Sequence, residues 1–169
     1  MAQQVIPDRF LLPDNGDIPN SRLSVLLYRG VVPAIANAAD WLEQTFVAHH
    51  WTNNWRDGIL TYHHYHSTTH EVLGISAGSA TLQLGGEGGP LVEVQAGDVL
   101  VLPAGVGHCN QRQSTDFGAV GGYPDGRDWD LLRGYPGERP DADQTIAQLP
   151  LPDSDPLFGP QGPLVQLWK

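Results

Sequence analysis

Five of the seven histidines of this chain lie between positions 63 and 108, four of them in the stretch Tyr62-His63-His64-Tyr65-His66-Ser67-Thr68-Thr69-His70-Glu71. Imidazoles and a carboxylate crowded together in this way suggest metal-ligand chemistry, since both offer lone pairs and neutral imidazole suits first-row transition ions. If Ile59 to His66 is a strand, its side chains alternate. His64 and His66 then share a face, with Cα atoms roughly 6.6 Å apart, and can converge on one ion. A tight turn over Ser67–His70 brings the chain back antiparallel and sets Glu71 beside them. His70 is the rival of Glu71, because a slip of one residue in register exchanges which of the two faces inward. The remaining ligand must come from far along the chain. His108 is the obvious donor, since it follows Leu102-Pro103-Ala104-Gly105-Val106-Gly107, a strand end and a Gly/Pro turn that can re-aim the backbone.

The other reactive side chains read differently. His63 faces away from His64 and is expected to pack or hydrogen-bond. His49 and His50 fall near the end of a helix, where an imidazole can meet the helix's negative pole. Cys109 points away from His108, and a thiolate would be out of place among three imidazoles. Tyr62 shares a face with His64 and is a candidate pocket residue. Arg56 and Arg112 could hold an acidic substrate, although each reads first as a surface charge. Gly85, Gly86, Gly88 and Gly89 have the composition of a phosphate loop but lack the following helix and the Lys-Ser/Thr pair, so they read as a hairpin turn. No Ser-His-Asp nucleophile pattern is visible.

The elements that must position these groups are mostly strands. Twenty glycines and 14 prolines in 169 residues make the chain turn often, which suits an all-β sandwich or barrel. Residues 1–22 read as irregular, and Leu23 to Tyr28 as a buried strand. One main helix is expected at about 37–50, with Asn37 as N-cap and Ala38, Trp41, Leu42, Thr45 and Phe46 at helical spacing. After Gly58, strands are expected at Ile59–His66, Glu71–Ala77, Ser79–Leu84, Leu91–Val94, Asp98–Leu102, near His108, and at Phe117–Gly121. The run at Asp98–Leu102 is apolar enough to be covered on both faces. From Asp125 the chain is acidic and then Pro-rich. Its end, Leu164-Val165-Gln166-Leu167-Trp168, reads as a terminal strand.

Charge and composition exclude some functions. The net charge is −10, and the sole lysine is the last residue. No Lys/Arg cluster exists to displace phosphate counterions, so nucleic acid and acidic membranes are not expected partners. A single cysteine permits no intrachain disulfide. The N-terminus, Met1-Ala2-Gln3-Gln4, shows no signal-peptide pattern, and the expectation is a cytoplasmic protein.

Two segments carry a family resemblance. Gly58, His64, His66, Glu71 and Gly78 match the first cupin motif, and Gly97, Pro103, Gly105 and His108 match the second, where Arg112 replaces the final Asn and Asn110 is the nearest asparagine. Ile18-Pro19-Asn20, Leu27-Tyr28-Arg29-Gly30, His64-Tyr65-His66-Ser67-Thr68 and Leu151-Pro152-Asp153-Ser154-Asp155-Pro156 resemble the small stand-alone bacterial cupins of the YjlB type. The resemblance implies a single cupin domain over 1–169: a double-stranded β-helix or jelly-roll barrel with one or two short helices. The core barrel would occupy about 23–123. A Pro/Gly-rich C-terminal arm, 125–169, would pack on the barrel or on a dimer partner. His64, His66, Glu71 and His108 would then hold one divalent ion (Fe, Mn, Zn, Ni, Co or Cu), an N/O ligand set that disfavours Ca and Mg. The functional expectation is a small mononuclear metalloenzyme (an oxygenase, isomerase or decarboxylase) acting on a small polar molecule and forming a homodimer. The alternatives are a metal-dependent binding or sensing protein without turnover, or a storage or structural barrel. No acid on a mobile lid, as oxalate-decarboxylase-type chemistry would need, can be identified.

Overall fold

The computed structural model describes residues 4–169; residues 1–3 of the N-terminal stretch lie outside that range. The elements are β1 (Asp8–Phe10), β2 (Val25–Tyr28), α1 (Ala38–Ala48), β3 (Trp51–Asp57), β4 (Glu71–Ala77), β5 (Ser79–Leu84), β6 (Leu91–Gln95), β7 (Val99–Leu102), β8 (His108–Gln113), β9 (Gly118–Pro124), α2 (Asp141–Gln148) and α3 (Pro163–Leu167). They form a six-stranded antiparallel sheet, β1-β2-β7-β4-β9-β3, and a three-stranded one, β6-β5-β8. The chain crosses from one sheet to the other after β4, β6, β7 and β8, which is the connectivity of the cupin jelly roll. Among the described residues no strand ladder joins the two sheets, so the barrel is not closed.

The alternation of side chains explains the layers. On β2, Val25 and Leu27 face the inter-sheet core, and Leu26 and Tyr28 face outward. On β7, Leu100 and Leu102 face in and Val99 and Val101 out. The outer face is covered too, by Leu42 and Phe46 of α1 and by Leu157, Leu164 and Trp168 of the C-terminal arm. That is why residues 99–102 are apolar without alternation. The helix comes close because Gly74 has no side chain: a Cβ there would lie 2.6 Å from a Leu42 methyl.

Several expectations are corrected. Ile59–His66 is not a strand. Only His64 and Tyr65 make bridge pairs, with His108 and Leu132 respectively. The strand lies earlier, at β3, where the polar Trp51-Thr52-Asn53-Asn54-Trp55-Arg56-Asp57 offers no apolar alternation. β1 falls within residues read as irregular. The expected terminal strand is the short helix α3, begun by Pro163 at its first position, where a missing N–H costs nothing. With α2, the described residues hold three helices rather than one or two. Asn37 does precede α1, but its side chain makes no cap bond. The C-terminal arm packs on the larger sheet through bonds from Trp51 Nε1 to the Ser154 carbonyl (2.8 Å) and from Trp168 Nε1 to the Ser24 carbonyl (2.9 Å).

Candidate metal centre

His64, Tyr65 and His66 run beside the start of β8, with backbone bonds in both directions between His64 and His108. Tyr65 turns away into a small cluster with Ile18 and Ala142, which leaves His64 and His66 on the other face. β4 enters from the larger sheet. Glu71 shares its inward face with Leu73 and Ile75, which belong to the inter-sheet core. His70 points the opposite way, toward Trp168, with ring centroids 5.0 Å apart, and its Nδ1 accepts the Ala104 N–H. The register thus turns Glu71 rather than His70 toward the imidazoles. The turn before His108 docks on buried Asn20, whose Oδ1 accepts the Gly107 N–H at 3.1 Å. Gly105 must be glycine, since φ is +94° and a Cβ would lie 2.4 Å from the Asn20 carbonyl oxygen.

His64, His66 and His108 are all buried, and each offers one ring nitrogen within 4.8 Å of the others. Among the described residues this is the one cluster of three or more His, Cys, Asp or Glu side chains with metal-ligand spacing. Glu71 Oε2 stands 2.7 Å from His66 Nε2 and 3.9 Å from His108 Nε2, beside the trio rather than within its mutual distances.

The ring orientations decide what the trio can bind. Each Nδ1 faces a backbone carbonyl: His64 that of Tyr62 (2.9 Å), His66 that of Asp130 (2.5 Å) and His108 that of Val106 (3.1 Å). A carbonyl only accepts, so each Nδ1 carries the proton and each neutral ring presents its Nε2 lone pair. Carbonyl bonds of this kind fix the tautomer of metal-ligating histidines. Glu71 Oε2 is buried with no hydrogen-bond donor, although His66 Nε2 is so near. Two lone pairs face one another across that gap, so the contact calls for a cation or an added proton. The donor set therefore fits a divalent transition ion. Burial, then the nearby His64 and His66, hold His108 well below the ordinary imidazole range, and burial also lowers His64. For His66 burial acts the same way, but the Glu71 carboxylate and the Asp130 bonds outweigh it and raise its pKa.

The trio and Glu71 open onto a cavity of about 380 Å³ lined also by Trp55, Ile59, Leu73, Tyr123 and Trp129. Trp129 lies with its ring centroid 5.7 Å from that of His66. Tyr62 is not among the lining residues; its ring lies edge-on to His64, with the Arg133 guanidinium 3.8 Å over its face. Arg56 reaches the cavity rim but is paired with Asp40 and Glu43, both at 2.8 Å, and Arg112 is exposed on β8. Cys109 is buried and outside the trio. His63 is half-buried, and His49 Nδ1 faces the Pro156 carbonyl at 3.0 Å.

Sequence reading missed the residue that organises His66 and the turn after it. Asp130 Oδ1 accepts the Ser67 and Thr68 N–H groups at 2.7 and 3.2 Å, its Oδ2 accepts the Ser67 hydroxyl, and its carbonyl takes the His66 ring proton. The only signal for Asp130 was one aspartate among several in an acidic stretch. Tyr123, Trp55 and Trp129 were likewise ordinary aromatics in the sequence.

No family model matches the chain. Among solved structures it is similar to a DUF861 family protein from Thermotoga maritima (18% identity, 57% of this chain and 96% of that one, TM-score 0.37). It is also similar to an uncharacterized conserved protein with a double-stranded beta-helix domain from Klebsiella pneumoniae (15% identity, 80% and 85%, TM-score 0.37). Likeness at that level leaves the fold to rest on the connectivity of the chain itself. A protein of Bacillus subtilis strain 168, named "Uncharacterized protein YjlB", is 39% identical over 160 residues, 94% of each chain. Identity of that extent, on a jelly roll with a buried histidine trio, shows that the chain belongs to the YjlB family of cupin-type proteins.

Proposed function

We propose that this protein is a small cupin enzyme that holds one divalent transition ion (Fe, Mn, Zn, Ni, Co or Cu) on His64, His66, Glu71 and His108 and acts on a small polar molecule. One observation supports this reading above the others: three backbone carbonyls orient three buried imidazoles so that their Nε2 lone pairs converge. A bound ion would polarise an oxygen of the substrate. The side chains do the rest. Glu71 supplies a negative charge, Asp130 keeps His66 in its ligating orientation, and Trp55, Ile59, Leu73 and Trp129 give apolar walls to a cavity whose size falls within the range of small-molecule sites.

The remaining proposals concern the assembly. The 169 residues form one domain, with core barrel and C-terminal arm together. The protein is cytoplasmic, in keeping with its single buried thiol. Among the described residues no helix is long and apolar enough to cross a membrane. It is a homodimer, since β1 and β3 leave sheet edges to cover. Sedimentation is expected to give twice the 18.4 kDa chain mass, and a monomer at working concentration removes that part.

The metal is tested by plasma mass spectrometry of tag-free protein purified without chelator. About one transition ion per chain is expected, with loss of the ion in the doubly substituted His64→Ala, His66→Ala protein. A wild-type protein that takes up none of the six metals after reconstitution ends the reading.

A further inference from the structure

Tyr123, on β9, is 2% exposed and lines the cavity together with all four proposed ligands. Its hydroxyl oxygen accepts the indole N–H of Trp55 at 2.8 Å. Among the described residues no group accepts the hydroxyl's own proton. A phenol has one proton and two lone pairs, and the proton prefers the ring plane. With the indole donor occupying one side of the oxygen, the proton is left to the other.

Three independent features hold this arrangement. The pairing of β3 with β9 shifts register between Thr52 and Trp55, and Asn53 there adopts φ +59°, so a bulge re-aims the next residues. Asn54 Nδ2 fastens the bulge by donating to the Trp51 and Gly121 carbonyls, at 3.1 and 3.0 Å. The indole then lies flat on Gly121, where a Cβ would come within 2.1 Å of Trp55 Cε2. A tryptophan needed only as filling would not require a bulge and a bare backbone to bring its N–H onto one phenol.

The proposed ion with a single carboxylate ligand carries net positive charge, which favours an anionic oxygen in the cavity. We propose that Tyr123 is the hydrogen-bond donor that recognises an anionic oxygen of the small molecule bound here, held for that task by Trp55. The proposal rests on the metal reading above and identifies the ligand chemistry of that site. Tyr123 stays neutral and remains a donor: burial, then the Glu71 charge, push its phenol above the ordinary range.

Acetate is the probe. It is titrated into the cobalt(II)-loaded protein while the visible cobalt bands are followed. Wild-type protein is expected to respond saturably. Tyr123→Phe should take up cobalt with unchanged bands and bind acetate about tenfold or more weakly, the loss of a hydrogen bond to a charged group. Trp55→Phe, which keeps the hydroxyl but unties it, should fall between. Equal acetate affinity in wild type and Tyr123→Phe overturns the proposal. So does a Tyr123→Phe protein that loses cobalt affinity alone, because the hydroxyl would then serve Glu71. If Tyr123→Phe does not fold, unchanged acetate affinity in Trp55→Phe overturns it. Failure of the metal reading is distinct: no cobalt bands appear in the wild type before acetate is added, and the proposal falls with it.

Discussion

A candidate metal site of this kind depends as much on what holds the imidazoles as on the imidazoles themselves. The three Nδ1–carbonyl bonds belong to Tyr62, Val106 and Asp130. Tyr62 and Val106 lie two positions before their own histidines, so the local backbone makes those bonds whatever the side chain. Asp130 is different, since it reaches His66 across 64 positions, and its carboxylate fastens the Ser67–Thr68 turn. Asp130→Ala keeps the carbonyl that faces His66 but loses the carboxylate that ties that backbone to Ser67 and Thr68, and is therefore expected to weaken metal binding by up to about tenfold, the lower end of the range for losing a group that orients a ligand. Competition against a chromophoric chelator measures it. His70→Gln, by contrast, is expected to leave metal content at the wild-type level, because that ring faces Trp168. Loss of metal in His70→Gln would show that the register of Glu71 has been misjudged.

At the scale of elements, α1 rests on β4 at Gly74. Alanine there must displace Leu42 or Phe46, since its Cβ would come within 2.6–3.0 Å of their side-chain atoms. Overpacking of this kind costs about 1–3 kcal/mol, against a small gain from removing a flexible glycine. Urea denaturation of Gly74→Ala should show the net loss. α2 is tied to the N-terminal segment by Arg139, which donates to Asp14 at 2.6 and 2.7 Å and to Asp143 at 2.5 and 2.8 Å. The Arg139 bonds lower the Asp14 carboxyl from 3.8 to about 2. A depressed folded-state pKa means the stabilisation is present above about pH 4 and is lost as pH falls through about 2. Asp14 is half exposed, so the effect should stay below about 1 kcal/mol. Thermal melts between pH 4 and 2 should show a smaller fall in Arg139→Ala than in the wild type.

Across the molecule, the C-terminal arm is joined to the sheet by one buried acid. Asp155 is fully buried and accepts the Tyr28 hydroxyl at 2.5 Å and the N–H groups of Leu157, Phe158 and Leu164 at 2.8, 3.1 and 3.1 Å. Asp155→Ala strands the Tyr28 hydroxyl and the Leu164 N–H in an apolar layer, at a cost of at least about 2 kcal/mol. Because the arm covers the outer face of β2, β7 and β4, its loosening should also raise protease cutting after residue 150. Limited proteolysis, run beside the urea curve, checks both.

The histidines that cluster, and the jelly-roll strands from Glu71 to Gly121, were legible in the chain. Alternation with a period of two and Gly-rich turns are local properties, and His-x-His with Glu71 and His108 is a pattern of spacing. What lay beyond the sequence was set by packing between distant segments. Ile59–His66 is not a strand, because only His64 and Tyr65 form bridge pairs and they do so with two different segments. β3 is polar yet pairs with β9, and the apolar tail Leu164–Trp168 coils into a helical turn that buries Leu164 and Trp168, four positions apart, against the larger sheet. Asp130, Trp55 and Tyr123 acquire their roles only when the sheets bring residues some 60 positions apart into contact. Such a contact leaves no period and no spacing in the chain: hydrogen bonding and packing select it after the strands have paired.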